Sequence, residues 1–384
     1  MTYATLYARF PARRGETCSW SLLVLYQRES RPVSVTDLLR GPALRGGALA
    51  LLASGLFGIS TPLVQHFGTG LGAFTTASLL YAGAAVLGAL LRQSADREAS
   101  LRMTDGGRLL AMAAFGAFLG PVALAWGLQR TSGTSASLML TLEALFTALL
   151  AWRLYHETMD RRVWTAMLLL LAGGMLLILD QGLTGGNQLL GLLAVLIATV
   201  AWGVDNTLSR GLAERDPSQV VMFKSAAGAS ATLVLAVVFG EPIPAWSAAS
   251  ALLVIGATGY GLSLRFYLLA QRAFGAGRTG SVFAFAPFIG AVVAVALGDR
   301  AWGVMMVLGS LSMLAGVVLH LVEAHAHLHQ HEPLEHEHAH RHDDAHHGHV
   351  HQPMPVGKHS HLHRHTAITH GHAHVPDAHH LHRH

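Results

Sequence analysis

The strongest constraint on this chain is a series of long apolar runs that carry almost no charge and are joined by short polar loops. Ten such runs can be placed, at roughly 47–66, 71–91, 108–128, 132–152, 163–180, 188–208, 218–239, 247–270, 279–298 and 302–322. About 20 apolar residues is the length an α-helix needs to cross the hydrocarbon core of a bilayer. Only helices and closed barrels satisfy their backbone hydrogen bonds there. Composition agrees, with 12% charged residues and a mean hydropathy of +0.41, against about 25% charged in soluble domains. The expected fold is an all-α integral membrane protein of ten transmembrane helices, with the lipid bilayer as its first partner.

Arginine placement orients such a chain, because positively charged loops stay on the cytoplasmic side. Loops on one face hold Arg92, Arg97, Arg102, Arg108, Arg153, Arg161, Arg162, Arg210, Arg215, Arg272 and Arg278. Loops on the other face hold only Arg130 and Arg300. With the first face inside, both termini are cytoplasmic. The formal charge of +4 and pI near 9.5 then reflect topology, and no nucleic acid partner is expected. Residues 1–45 are polar and arginine-rich. Their apolar patch, Trp20 to Tyr26, is too short to span and is not followed by a small-residue cleavage site. They read as a disordered extension, with a later true start left open. The single cysteine, Cys18, excludes an intrachain disulfide and any cysteine-based metal site.

The two halves resemble each other. Ser54-Gly-Leu-Phe-Gly-Ile-Ser-Thr-Pro-Leu63 in the first run lines up with Thr199-Val-Ala-Trp-Gly-Val-Asp-Asn-Thr-Leu208 in the sixth. Leu128-Gln-Arg-Thr-Ser-Gly133 is matched by Ala270-Gln-Arg-Ala-Phe-Gly275, and Glu143-Ala-Leu-Phe146 is echoed by Ala286-Pro-Phe-Ile289. Five spans per half make the halves inverted. Inverted repeats with polar residues interrupting matching spans mark secondary transporters with a mid-membrane site. The domain reading is an extension over 1–45, repeats over 46–182 and 187–322, and a histidine-rich tail over 323–384.

These residues carry a family resemblance. The Phe-Gly and Trp-Gly segments open each half, and Thr131-Ser-Gly-Thr-Ser-Ala-Ser137 leads to Leu142-Glu143-Ala-Leu-Phe146. The fourth span closes on Trp152-Arg-Leu-Tyr-His-Glu157 and the ninth on Ala296-Leu-Gly-Asp299. Over about residues 45–322 the chain resembles the EamA family of the drug/metabolite transporter superfamily. The resemblance implies two five-helix repeats around a central cavity, export or exchange of a small metabolite, and a bacterial inner membrane. Ala144 stands where that family often has proline, and Asp299 where it usually has glutamate.

Four charges lie inside the runs: Glu143, Asp205, Lys224 and Arg265. Intramembrane charges are functional candidates by default. The central stretch is Ala201 to Arg210, which sets Asp205 beside Asn206 in an apolar run. At about 1.5 Å per residue, Asp205 is roughly 8 Å from the inner edge, and Lys224 and Arg265 roughly 10 Å. Two readings stand. In one, Lys224 and Arg265 hold an anionic group, Asp205 an amine or a proton, and Trp202, Tyr260 and Tyr267 form aromatic walls. In the other, Asp205 is an internal ion pair with Lys224 or Arg265, or the basic side chains snorkel outward. Glu143, about 15 Å deep, is a candidate proton-coupling carboxylate, with a packing role as the alternative. His66 and His156, at span ends, read as interfacial. Pro62, Pro121 and Pro287 are candidate kinks.

Of the 26 histidines, only His66, His156 and His320 precede residue 323. The rest include the alternating sets His325, His327, His329; His336, His338, His340; His359, His361, His363, His365; and His370, His372, His374. Imidazole suits Zn, Ni, Co and Cu, so a divalent transition metal is the expected tail ligand. Without metal the tract cannot bury a core and is expected to be disordered. No phosphate loop, nucleotide motif or catalytic constellation occurs, so no enzyme, ATP-driven pump or required cofactor is expected. The leading reading is a secondary active transporter exporting a small polar or zwitterionic metabolite such as an amino acid. The alternatives are a divalent metal exporter (Ni, Co or Zn) fed by the tail, and a non-transporting, metal-responsive membrane sensor. A homodimer is left open.

Overall fold

The structure is a computed structural model. It describes residues 42–94, 97–155, 161–184, 186–274, 276–299 and 303–321, and four segments of the tail, 325–330, 334–340, 359–365 and 369–374. Among these, nine helices are long and apolar enough to cross a membrane. Spans 1 to 9 are Arg45–Gly68, Ala73–Leu90, Met103–Leu128, Gly133–Leu154, Arg161–Asp180, Gly186–Leu212, Pro217–Val238, Trp246–Ala273 and Thr279–Ala296. A shorter apolar helix, Val304–Leu319, makes span 10. Residues 1–41, and so nearly all of the N-terminal extension, lie outside the described residues.

Packing follows the inverted repeat. Span 1 lies against spans 8 and 9, and span 6 against spans 3 and 4. Span 2 packs on span 7, and span 5 on span 10. Between apolar helices in lipid, association depends on close van der Waals approach, which small residues permit. A Cβ on Gly173 of span 5 would sit 2.7 Å from the Gly309 carbonyl of span 10, and one on Gly309 would sit 2.9 Å from the Gly173 carbonyl. Leu80, Leu124, Met139, Leu192 and Leu252 are fully buried in the core, whereas Leu168, Met175, Val237, Val238 and Leu311 are exposed. Exposed side chains of this kind are the surface that lipid covers.

Two pairs of matching spans depart from regular helix at matching places. Span 3 carries a π-helical segment at Ala113–Leu119, and span 8 one at Gly256–Leu262. Span 4 is two helices, Gly133–Met139 and Leu142–Tyr155. Span 9 is likewise Ala276–Phe283 and Ala286–Ala296. Pro121 and Pro287 each fall in the first turn after such a departure, where a missing N–H costs least. Pro62 sits inside an unbroken helix.

Two acids anchor loops on the face opposite the N-terminus. Gly240, at φ 63°, and Gly298, at φ 103°, take the left-handed backbone that glycine adopts without strain. Each is followed by an acid that caps another span. Glu241 accepts from the N–H groups of Phe74 and Thr75, and Asp299 from the N–H of Thr134 at 2.8 Å. Carboxylates are stabilised at helix N-termini by free N–H donors and the helix dipole.

The described parts of the tail are strands. β1 (His325–Gln330) pairs antiparallel with β4 (Thr369–His374), and β2 (Leu334–His340) with β3 (His359–His365). The physical reason is periodicity. Alternation every second residue is the strand period, and pairing satisfies backbone groups without needing a core.

Candidate functional site

The site is built on one turn of span 6. Trp202 and Asp205 are buried there, with Asn206 half-buried. The Lys224 ammonium of span 7, 2% exposed, pairs with Asp205 Oδ2. Asp205 Oδ1 is buried and, among the described residues, has no hydrogen-bond partner. Next along the helix, Asn206 Nδ2 donates to Glu143 Oε1. Glu143 lies in the first turn after the break in span 4.

The π-helical segment of span 3 supplies the floor. The Gly116 carbonyl accepts from Trp202 Nε1 at 3.0 Å and from the Tyr81 hydroxyl of span 2. A Cβ on Gly116 would run into the Asp205 carboxylate, so glycine is needed for that approach. Contacts of the other half mirror this one. A Cβ on Gly259, in the π segment of span 8, would meet Ser60, the residue that lines up with Asp205. Likewise Gly58 abuts Ala286, as Gly203 abuts Phe146.

Aromatic rings wall the cluster. Phe57 meets the matching Trp202 edge-on at 5.4 Å, and Tyr260 at 5.8 Å. Tyr260 continues to Tyr81 at 5.4 Å, and Phe283 joins Phe57 to Tyr267. Beside the break in span 4, the hydroxyls of Ser137, Thr141 and Thr147 are buried with no hydrogen-bond partner among the described residues. Among the described residues of the spans, no group of three or more His, Cys, Asp or Glu could hold a metal ion.

The structure therefore brings together Asp205, Asn206, Lys224, Glu143, Trp202 and Tyr260, with Tyr267 at the aromatic edge. Two sequence expectations change. Arg265 does not join the pair; its Nε donates to Ser218 Oγ at 3.0 Å, at the start of span 7. Its long stem reaches outward from the same helix that carries Tyr260. Glu143, which counting along its helix places deeper than Asp205, reaches the cluster through its hydrogen bond from Asn206. Tyr81, Gly116, Phe57 and Phe283 were missed. Tyr81, a hydroxyl within an Ala- and Leu-rich run, is the one of these that the sequence could have flagged.

The two faces differ. On the N-terminal face, Arg272 at the end of span 8 pairs with Glu98 at 2.7 Å and donates to the carbonyls of Ala213 and Arg215. Arg215 pairs with Asp105 at 2.9 Å, and Asp216 N–H donates to the Ala99 carbonyl at 2.8 Å. The loop after span 2 is thus stitched to the loop after span 6. On the opposite face lies a cavity of about 590 Å³ whose lining includes Pro62, Gln65, His66, Gln129, Thr131 and Asp299. His66 lines that cavity and meets Phe67 edge-on at 4.9 Å. His156 lies outside the described residues.

The EamA-like transporter family matches this sequence twice, over residues 44–179 and again over 189–322. The chain belongs to the EamA-like transporter family. An uncharacterized transporter of Methanothermobacter thermautotrophicus is 25% identical over 247 residues, which are 61% of this chain and 69% of that protein. A crystal structure of another protein aligns with a TM-score of 0.52 and 19% identity, covering 73% of this chain and 96% of that one. At that identity the likeness is one of fold. Among the features of this EamA-like chain, the polar cluster sits where its interrupted spans meet, the placement expected of a transport site.

Proposed function

We propose that this protein is a secondary active transporter that exports a small zwitterionic metabolite such as an amino acid across the bacterial inner membrane, with both termini cytoplasmic. The observation that carries the reading is the buried, opposite-charge pair of Asp205 and Lys224 at the meeting of the interrupted spans. An ion pair removed from water is costly unless its remaining hydrogen-bonding capacity is filled. Asp205 Oδ1 has that capacity free. A solute carrying one ammonium and one carboxylate can exchange partners with such a pair without leaving a buried charge uncompensated. A solute of net charge cannot. Glu143, tied to Asn206, is the group proposed to carry a coupling proton. The stitched N-terminal face and the cavity opposite fit one end state of alternating access.

Uptake of labelled amino acids into inverted vesicles tests this. Saturable, gradient-dependent uptake of a zwitterion is expected, and it should survive deletion of residues 323–384. If the vesicles instead take up Ni²⁺, Co²⁺ or Zn²⁺ and lose that uptake with the tail, the metal-exporter reading replaces this one. No flux of any solute, with a metal-dependent change in the tail, would favour the sensor.

A further inference from the structure

The paired strands of the tail place histidine opposite histidine. In β1 and β4, His325 is opposite His374, His327 opposite His372, and His329 opposite His370. In β2 and β3, His336 is opposite His363, His338 opposite His361, and His340 opposite His359. Residues at i and i+2 of a strand share a face, and directly opposed residues of an antiparallel pair share it too. Each ladder therefore gathers its histidines on one face, in three successive rungs. Alternation within one strand does not produce this. It requires the register, and a slip of one residue would set every histidine of a strand against the wrong face.

The other face of the β2–β3 ladder shows why something must hold it together. There Glu335 is opposite Arg364, Glu337 opposite Leu362, and Ala339 opposite Ser360. Leu362 and Ala339 are its only apolar residues, and an isolated two-stranded ladder is marginal in water. A cation that takes imidazole ligands links the strands that the register pairs.

We propose that each ladder is a divalent transition-metal site, with Zn²⁺, Ni²⁺, Co²⁺ or Cu²⁺ bound by opposed histidines of neighbouring rungs. Imidazole is a ligand common to all four ions. Binding and strand pairing are then one equilibrium, as in other small metal-held elements. It is independent of what the spans transport.

The test uses the full-length protein, purified without an added affinity tag and titrated with Zn²⁺ alone by calorimetry. In the first variant, Glu335→His, His336→Glu, Glu337→His, His338→Glu, Ala339→His and His340→Ala move the histidines of β2 to the other face at unchanged composition. The expected result is at least a tenfold loss of affinity for the sites of one ladder, with those of the other intact. In the second variant, these changes are combined with His359→Ser, Ser360→His, His361→Leu, Leu362→His, His363→Arg and Arg364→His. That restores histidine opposite histidine, and affinity should return. Unchanged binding in the first variant would mean that only histidine number matters, and the proposal fails. It fails equally if the second variant does not recover, or if the wild type binds no more Zn²⁺ than a chain lacking residues 323–384.

Discussion

Asp205 offers one carboxylate oxygen to Lys224 and keeps the other unpartnered. Removing one member of a buried pair leaves the other charge uncompensated, at a cost of about 3–5 kcal/mol. Asp205→Asn should therefore lower the melting temperature in detergent sharply. Adding Lys224→Met should recover most of that loss, because the orphaned ammonium goes with it. Transport should stay abolished in the double variant; full transport there would reduce the pair to a fastening between spans 6 and 7. Glu143→Gln keeps an acceptor for Asn206 but cannot exchange a proton. It should slow gradient-driven uptake about tenfold or more, a barrier change of about 1.4 kcal/mol, while leaving solute exchange measurable in counterflow. At this scale the sequence was most legible where it broke its own pattern. Asp205, Asn206, Lys224 and Glu143 stand out because polar groups in an apolar run are costly. Gly116 does not stand out among 41 glycines, since its role lies in a carbonyl and in the absence of a Cβ.

Helix irregularity decides what the elements can do. The π-helical segment of span 3 presents the Gly116 carbonyl to both Tyr81 and Trp202. Such segments concentrate at functional sites. Gly116→Ala would press its Cβ into the Asp205 carboxylate. Overpacking of this kind costs about 1–3 kcal/mol, and transport should fall with stability. Tyr81→Phe removes only one of two donors to that carbonyl, so its stability loss should be about 1 kcal/mol when followed by thermal unfolding. On the opposite face, Glu241→Ala deletes the acceptor for two N–H groups at the start of span 2. A lost cap of this type costs about 0.5–2 kcal/mol, with no expected change in substrate preference. The existence of the spans was readable from apolar length. Their breaks were not: those of spans 4 and 8 have no proline after them, and a proline is equally compatible with an unbroken helix, as Pro62 shows.

Across the whole molecule, loops on the N-terminal face are joined by Arg272, Glu98, Arg215 and Asp105, while the opposite face holds the cavity. Under alternating access that stitching must open in each cycle. Arg272→Gln removes a charge-assisted bond to Glu98, of a class worth about 1.5–3 kcal/mol. The equilibrium constant should then shift tenfold or more toward the state open on the N-terminal face. Thiol labelling of a Thr61→Cys reporter, in a Cys18→Ser background, would read this as faster modification from that face. Equal labelling rates in the two proteins would show that the stitching does not set the equilibrium.

Length and apolarity of the runs, read without a structure, determined the membrane-spanning helical fold, since helices and closed barrels alone satisfy their backbone in lipid and runs of about 20 residues have the helical length. Internal likeness of the halves determined the inverted repeat. Tertiary structure alone decided which charges meet. Counting residues from a loop measures depth along one helix, but not which side of that helix faces its neighbour. Hence Glu143 joined the cluster through Asn206, while Arg265 left it for Ser218. The tail divides in the same way. Its alternating histidines were plain in the chain, but which histidine stands opposite which is a property of strand register, and no single segment contains it.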